Sequence, residues 1–305
     1  MNSNKQSNGP FTPLTVAISD TFLQMKAKPL IFLTMLVLLV FVPRLLLGFA
    51  FNQPISKMAM ELFSQILDER LNDSDFQITE QNSGVIINGV GAMLLLLLSF
   101  LGLAGYIYSV LGDVVASFRR SLPPGIARSL AEGQRRYVSL LKVVLASAGR
   151  ILAWPAAIAI PGLVTGYLLG QATLIYISLI ASLILFLVRL TRYGLAPFVH
   201  IARGIVWRSA LVSARDYYLT HRLVTSTLCG FVVILPLVFF SLLSYVWFSL
   251  GMIGLEILAT TMFIVFGILR NIVRLFMPVL LINFAMNNFV HIQEAAVGES
   301  PRRKG

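Results

Sequence analysis

The chain has 305 residues, 57% of them hydrophobic and 12% charged, and its 24 Lys and Arg against 13 Asp and Glu give a net charge of +11. Soluble globular proteins carry about 25% charged residues, so this chain has too few to cover a surface that faces water. With a mean hydropathy of +0.83, the composition excludes a disordered chain, a disulfide scaffold and an ordinary cytosolic enzyme. We predict an all-α fold, a polytopic membrane helix bundle of about six spans with interfacial amphipathic helices on the cytoplasmic side.

Apolar runs long enough to cross a bilayer core of about 30 Å predict the six spans. In chain order they lie at about 29–50, about 86–112, within 143–170, at about 172–192, at about 224–250, and from about 253 onward. Spans 3 and 4, and spans 5 and 6, are separated by only a few residues, which predicts two tight hairpins. The transmembrane domain would then cover 29–290, between a cytoplasmic tail at 1–28 and a basic cytoplasmic tail at 291–305. The long polar lead before the first span is typical of a retained anchor rather than a signal peptide.

The distribution of charge predicts the orientation of the chain. The loop 51–85 holds Lys57 and Arg70 against six acidic residues, whereas Lys and Arg dominate the segments on the opposite side. Because positive charge collects on the cytoplasmic side, loop 51–85 is predicted to be outside and both termini inside. Within this loop, residues 54–71 have the apolar spacing of an amphipathic helix that begins at Pro54. Its acidic residues are interpreted as solvated charge and not as a metal site.

Two patterns in the cytoplasmic segments suggest a repeat. At an offset of 80 residues, segment 113–150 matches segment 190–230 at several Arg, Ser and Tyr positions. A looser pattern places Pro four residues after Arg119 and after Arg274, which suggests helix pairs that close at the cytoplasmic face where a Pro bends or ends the helix. The alternative is that basic residues and helix breakers simply collect at inner membrane boundaries. The segment 205–222 is predicted to be an interfacial amphipathic helix.

Arginines near the predicted inner boundary are the main candidate site residues. They form what we name the arginine collar, which could engage lipid phosphates at about 1 kcal/mol each: Arg119, Arg192, Arg208, Arg215, Arg270 and Arg274. Arg44, inside the first span, would either face a partner or wet cavity or extend to the outer face. Arg270 and Arg274, with Asn271, could line a cavity or lie on a surface helix. Arg150 is buried if span 3 begins at Lys142, and is an inner anchor if the span begins at Ile151.

Gly162, Gly166 and Gly170 follow one another at four-residue spacing in span 3. Small residues at this spacing let two helix backbones approach closely. They predict either packing against span 4 of the same chain or a homodimer seam.

The sequence contains few patterns that are typical of enzymes. Its three histidines are isolated, Cys229 is its single cysteine, and HExxH, GxSxG and phosphate-binding loops do not occur. Ser139 and Lys142 match the S-x-x-K pattern without its companion motifs. We therefore expect no catalytic residue, no metal and no cofactor. The basic residues are spread along a membrane face, so no nucleic-acid partner is expected either.

One part of the chain resembles the YciC-like family of bacterial inner-membrane proteins and the related membrane domains of some glycerophosphodiester phosphodiesterases. The resemblance rests on Pro161-Gly162, on Leu195-Ala196-Pro197-Phe198-Val199, on Gly204 and on the stretch Ala210–Ser213. The six-span plan with one sizeable outer loop is similar too. The resemblance implies an integral protein of the bacterial inner membrane and transfers no catalytic site.

These observations lead to two functional expectations. The first is a non-catalytic protein of envelope homeostasis, a lipid-contacting scaffold or assembly subunit whose partners are membrane lipids and other membrane subunits. The second is a transporter or channel for an anionic solute, with a cavity lined by Arg44, Arg270, Arg274 and Asn271.

Overall fold

The computed structural model describes residues 12–72, 80–122, 125–252 and 256–289, nearly all of which are helical, with no strand among them. Six stretches in these residues are long and apolar enough to cross a membrane: Pro29–Met58, Ile87–Arg119, Ile126–Gly166, Thr173–Arg203, Arg222–Ser249 and Thr260–Phe289. The predicted all-α bundle is confirmed, and the chain is a multi-pass membrane protein.

The helices follow one another with short connections. In chain order they are α1 (Thr12–Ala27), α2 (Pro29–Met35), α3 (Val42–Asn72), α4 (Glu80–Arg119), α5 (Ile126–Leu168), α6 (Ala172–Tyr193), α7 (Ala196–Arg203), α8 (Trp207–Thr220), α9 (Arg222–Cys229), α10 (Leu235–Met252) and α11 (Glu256–Phe289). The chain divides into two compact units, one comprising the residues up to Phe32 and from Gly105 onward, the other comprising Leu33–Ala104.

Two π-helical segments interrupt the regular helices, Leu36–Phe41 before α3 and Gly230–Ile234 before α10. Each ends two residues before a proline, Pro43 or Pro236. Proline has no backbone N–H and its ring crowds the preceding turn, which weakens a regular helix at that point. The wider π turn accommodates this defect while the helix continues.

In the smaller unit, the first span does not end near residue 50 as the sequence suggested. Helix α3 continues without a break from Val42 to Asn72, with Pro54 inside it, so the predicted separate helix at 54–71 is its second half. Proline inside a helix removes one backbone hydrogen bond, a loss that helices of membrane proteins tolerate. Gly89 of α4 packs on α3, where a Cβ would lie 2.3 Å from Cβ of Met58. Residues 73–79, with part of the acidic cluster, lie outside the described residues.

The larger unit is built around α7. Ala196, Pro197, Phe198 and Val199 are all buried, and α7 packs against α5, α8 and α11. Its end is fixed by Gly204, which adopts a left-handed φ of +66° and donates its N–H to the His200 carbonyl. The predicted amphipathic helix at 205–222 is α8, which turns Ala210, Leu211 and Ala214 into this core.

The segment assigned to a cytoplasmic tail, 1–28, contains a packed helix. Helix α1 lies against α11 and buries Leu14, Ala17 and Thr21. These residues occupy one face of α1 through their spacing of three and four. The pattern is weak as a sequence signal because much of this face is polar and is matched by polar groups on α11. The tail assignment therefore needs correction over Thr12–Ala27.

The proposed helix pairs differ in how their second helix ends. The chain leaves the helix after Arg119 and again after Tyr193, but α11 continues through Pro278 to Phe289. Segment 113–150 is mostly the single helix α5, whereas segment 190–230 is divided among α7, α8 and α9. The matched Arg, Ser and Tyr positions nevertheless lie within one helix in each copy, the first half of α5 or α8, so the repeat stays a prediction.

Candidate functional site

The arginine collar does not gather in one site. Arg119 and Arg215 have carboxylate partners, Asp20 at 3.6 Å and Asp216 at 3.2 Å. Arg208 lies over the ring of its neighbour Trp207, at 5.1 Å from the centroid. These three guanidinium groups are therefore already engaged. The side chain of Arg44 lies outside the described residues.

Arg119 belongs to a polar network that joins α1, α4 and α11. Its Nη2 donates to Oδ1 of Asn287, and it lies 3.4 Å from the backbone carbonyl of Asn283. Asn283 exchanges two amide hydrogen bonds of 3.0 Å with Gln24 and donates to Oγ1 of Thr21 at 3.1 Å. Asn283 and Asn287 of α11 thus face α1, and their role is to hold the helices together.

A second group of arginines lies between the antiparallel helices α5 and α6. Arg150 of α5 lies over the ring of Tyr193 at 5.5 Å, and Arg189 of α6 lies over the ring of Trp154 at 5.4 Å. On each helix the arginine and the aromatic residue are four positions apart, so they share a face. The four side chains form what we name the arginine–aromatic ladder: Arg150, Trp154, Arg189 and Tyr193.

Arg192 extends this positive surface toward α8. Its guanidinium lies 5.6 Å from the ring centroid of Tyr218, and its Nε is buried without a hydrogen-bond partner. Nε of Arg203 is buried and unpartnered too. In the part of the chain that the structure describes, ion pairs form only at Arg119, Arg136 and Arg215. The ladder and Arg192 therefore carry positive charge that no described carboxylate neutralises.

Sequence reasoning found Arg192, left Arg150 as either a buried residue or an inner anchor, and did not single out Arg189. A local signal was present, because Arg-x-x-x-Trp at 150–154 and Arg-x-x-x-Tyr at 189–193 have the same spacing. The sequence could not show that each arginine contacts the aromatic residue of the other helix, because that pairing depends on how α5 and α6 pack.

That packing depends on the glycines of α5. A Cβ on Gly162 would lie 2.2 Å from Cβ of Ser178, and one on Gly166 would lie 2.5 Å from Cγ1 of Ile175. Both partners belong to α6 of the same chain. Gly170 plays a different part, because its φ of +61° allows the tight turn between the two helices.

Arg270 and Arg274, one turn apart on α11, have different surroundings. Arg270 lines a cavity of about 90 Å³ between α10 and α11, whose other walls include Trp247 and Phe263. Nε of Arg270 and Oδ1 of Asn271 are both buried without partners. Arg274 does not line this cavity, so the structure assembles only part of the predicted anion pathway.

One polar pair was missed altogether by the sequence analysis. Oγ of Ser139 in α5 lies 3.0 Å from Nε2 of His200 in α7. The two residues are 61 positions apart, so no local motif could have joined them. They line a cavity of about 320 Å³ together with residues of α4.

Comparison of the chain with protein-family models, with curated proteins and with solved structures gives no match. The similarity to the YciC-like family stays a prediction carried by the residues quoted above.

Proposed function

We propose that this protein is a lipid-contacting scaffold or assembly subunit of a bacterial inner membrane, with both termini in the cytoplasm, and that it binds the phosphates of anionic lipids. The observation that carries the proposal is the arginine–aromatic ladder with Arg192 beside it. The proposed orientation rests on the excess of Lys and Arg on the side opposite loop 51–85.

The chemistry of the ladder suits an anion. A guanidinium carries five N–H donors, more than one aromatic neighbour can occupy, so Arg150 and Arg189 retain donors for a further acceptor. Such donors bind phosphate oxygens in pairs, which gives geometric selectivity as well as attraction. Since no described carboxylate pairs with Arg150, Arg189 or Arg192, their charge is free to neutralise an external anion.

The position of the ladder suits a lipid. It lies at the end of the α5–α6 hairpin where α6 meets α7 and α8, which is the proposed cytoplasmic boundary. Trp154 and Tyr193 are residues of the kind enriched at the level of lipid headgroups. With about 1 kcal/mol for each arginine near an anionic leaflet, three would add about 3 kcal/mol, or about 100-fold in affinity.

Lipid retention tests this proposal. We expect wild-type protein, extracted in mild detergent, to keep phosphatidylglycerol in native mass spectrometry. The triple variant Arg150→Gln, Arg189→Gln, Arg192→Gln should lose it. Arg215→Gln is the matched control, because Arg215 is an exposed arginine already paired with Asp216, and it should retain the lipid. Equal retention by the triple variant and the control, both folded, would contradict the proposal.

A second candidate function, transport of an anionic solute, is favoured by the cavity at Arg270. The buried Nε of Arg270 lacks a hydrogen-bond partner, and an N–H donor of this kind is one that a permeating anion could satisfy. Proteoliposomes loaded with chloride or phosphate separate the two functions: transport predicts flux that Arg270→Gln abolishes, whereas a scaffold gives no flux.

A further inference from the structure

The pair Ser139 and His200 has the arrangement of a nucleophile and its base. Nδ1 of His200 lies 2.5 Å from the carbonyl oxygen of Ile205. A carbonyl oxygen can only accept a hydrogen bond, so Nδ1 carries the proton of the neutral ring. Nε2 is then unprotonated and accepts the hydroxyl hydrogen of Ser139, at 3.0 Å. The Ile205 carbonyl thus fixes the tautomer that a general base needs, a part played in other hydrolases by a carboxylate.

The fold holds this tautomer in place from two sides. His200 lies in the last turn of α7, and its own backbone carbonyl accepts the N–H of Gly204 at 2.8 Å. The left-handed turn at Gly204 reverses the chain so that Ile205 comes back beside the imidazole ring. Gly204 therefore positions the carbonyl that orients the base.

The surroundings of the pair supply further donors. The cavity of about 320 Å³ is lined by α4, α5 and α7 and includes Arg136 and Ser109. Arg136 uses Nε for its 2.5 Å ion pair with Glu132, which leaves its terminal amino groups for another acceptor. Ser109 is only 4% exposed, and its Oγ has no hydrogen-bond partner. An unpartnered buried hydroxyl costs free energy unless something else satisfies it, and a bound ligand would do so.

We propose that Ser139 is the nucleophile and His200 the general base of a site that hydrolyses carboxylic esters of amphipathic molecules. Oγ of Ser139 attacks the ester carbonyl carbon while its proton passes to Nε2 of His200. The C–O bond to the alcohol then breaks, and Nε2 returns the proton to the departing alcohol. A water molecule attacks the acyl-serine, giving its proton to Nε2; the carboxylic acid leaves, and Oγ regains a proton. Arg136 and Ser109 line the same cavity and would be the donors to the oxyanion.

This inference is independent of the lipid-binding proposal, because none of its residues belongs to the ladder. It departs from the sequence-based expectation of a protein without catalytic residues. The amphipathic substrate class follows from the place of the cavity, between the ends of α4 and α5 and the short helix α7, beside the proposed membrane boundary. A substrate there would come from the lipid phase with its ester group at the interface.

Covalent labelling tests the proposal without knowledge of the natural substrate. The full-length protein in detergent is treated with an alkyl fluorophosphonate, in which a serine oxygen displaces fluoride from phosphorus, and the labelled peptide is identified by mass spectrometry. We expect the adduct on Ser139. Ser139→Ala should abolish it, and Ser209→Ala, which removes an exposed serine of α8, should leave it unchanged. Hydrolysis of p-nitrophenyl butyrate should follow the same order.

His200→Gln separates catalysis from structure. Glutamine can still bond to Ser139 but cannot take up a proton, so labelling and hydrolysis should fall by about 100-fold or more while the melting temperature stays near that of the wild type. Absence of an adduct on Ser139 in folded wild-type protein would overturn the proposal. Labelling that His200→Gln does not slow would overturn it equally, and would leave the hydrogen bond as a tie between α5 and α7.

Discussion

Asn283→Ala should destabilise the larger unit by breaking the polar contact between α1 and α11. Asn283 is fully buried, and its amide makes three hydrogen bonds of 3.0–3.1 Å to α1, two with Gln24 and one with Thr21. A fourth, longer contact of 3.5 Å joins its Oδ1 to Arg119. Replacement by alanine removes all of these at once and leaves the amide of Gln24 without its partner.

The size of the effect follows from the number of bonds. A net hydrogen bond contributes about 0.6 kcal/mol between membrane helices and up to about 1.5 kcal/mol in soluble proteins. The three short bonds therefore sum to about 2–4.5 kcal/mol. Because Asn283 and Gln24 share two of these bonds, the double variant Asn283→Ala, Gln24→Ala should lose less than the sum of the single variants, by about 1 kcal/mol.

Unfolding by sodium dodecyl sulfate in mixed micelles measures these differences. Asn288→Ala is the matched control: it lies on the same helix, is half-buried, and donates only to the Phe284 carbonyl one turn back. We expect the control to lose less than about 1 kcal/mol. If Asn283→Ala and Asn288→Ala unfold within about 0.5 kcal/mol of each other, the uncertainty usual for independent sites, the reasoning that α1 is held by this network is refuted.

Two other changes test the packing. Gly162→Ala should destabilise the α5–α6 hairpin by about 1–3 kcal/mol, because the new Cβ meets Ser178 at 2.2 Å; Gly149→Ala on the same helix meets nothing within 4 Å and should stabilise by about 0.5–1 kcal/mol. If both variants shifted the free energy of unfolding by sodium dodecyl sulfate in the same direction, this reasoning would be contradicted. Tyr217 packs on Phe289 at 4.8 Å, and burial raises its pKa to about 12. Since the phenol of an unfolded chain titrates near 10, the stability that this burial confers is present below pH 10 and lost as the pH rises toward 12. Ultraviolet absorbance of phenolate should show a late-titrating component that Tyr217→Phe reduces.

The six spans could be predicted because membrane insertion depends mainly on the length and hydrophobicity of each run, which are local properties. The same holds for α8, where the spacing of Ala210, Leu211 and Ala214 identifies the buried face. The close approach of α5 and α6 could be predicted too, because small residues at four-residue spacing in a span are typical of a close helix contact.

Other features depended on partners distant in sequence. The polar face of α1 resembles that of a solvated tail until Asn283 and Asn287 of α11 are placed against it. Pro54 was interpreted as a helix start because proline favours the first turn, but the residues before it are helical as well.

The candidate sites were the least predictable part. Arg150 and Tyr193, like Ser139 and His200, meet only through the packing of separate helices. The charge pattern identified which face of the membrane would be basic; it could not tell paired arginines from unpaired ones.

The contact between α1 and α11 has a consequence for biosynthesis. Gln24 and Asn283 are 259 residues apart, and at about 5–20 residues per second a ribosome needs about 13–50 s to add a segment of that length. During this interval the polar face of the first helix has emerged and its partner does not yet exist. The network can close only after α11 has been synthesised and inserted. A nascent protein that stalls before α11 would present an unmatched polar helix to the quality-control proteases of the cell.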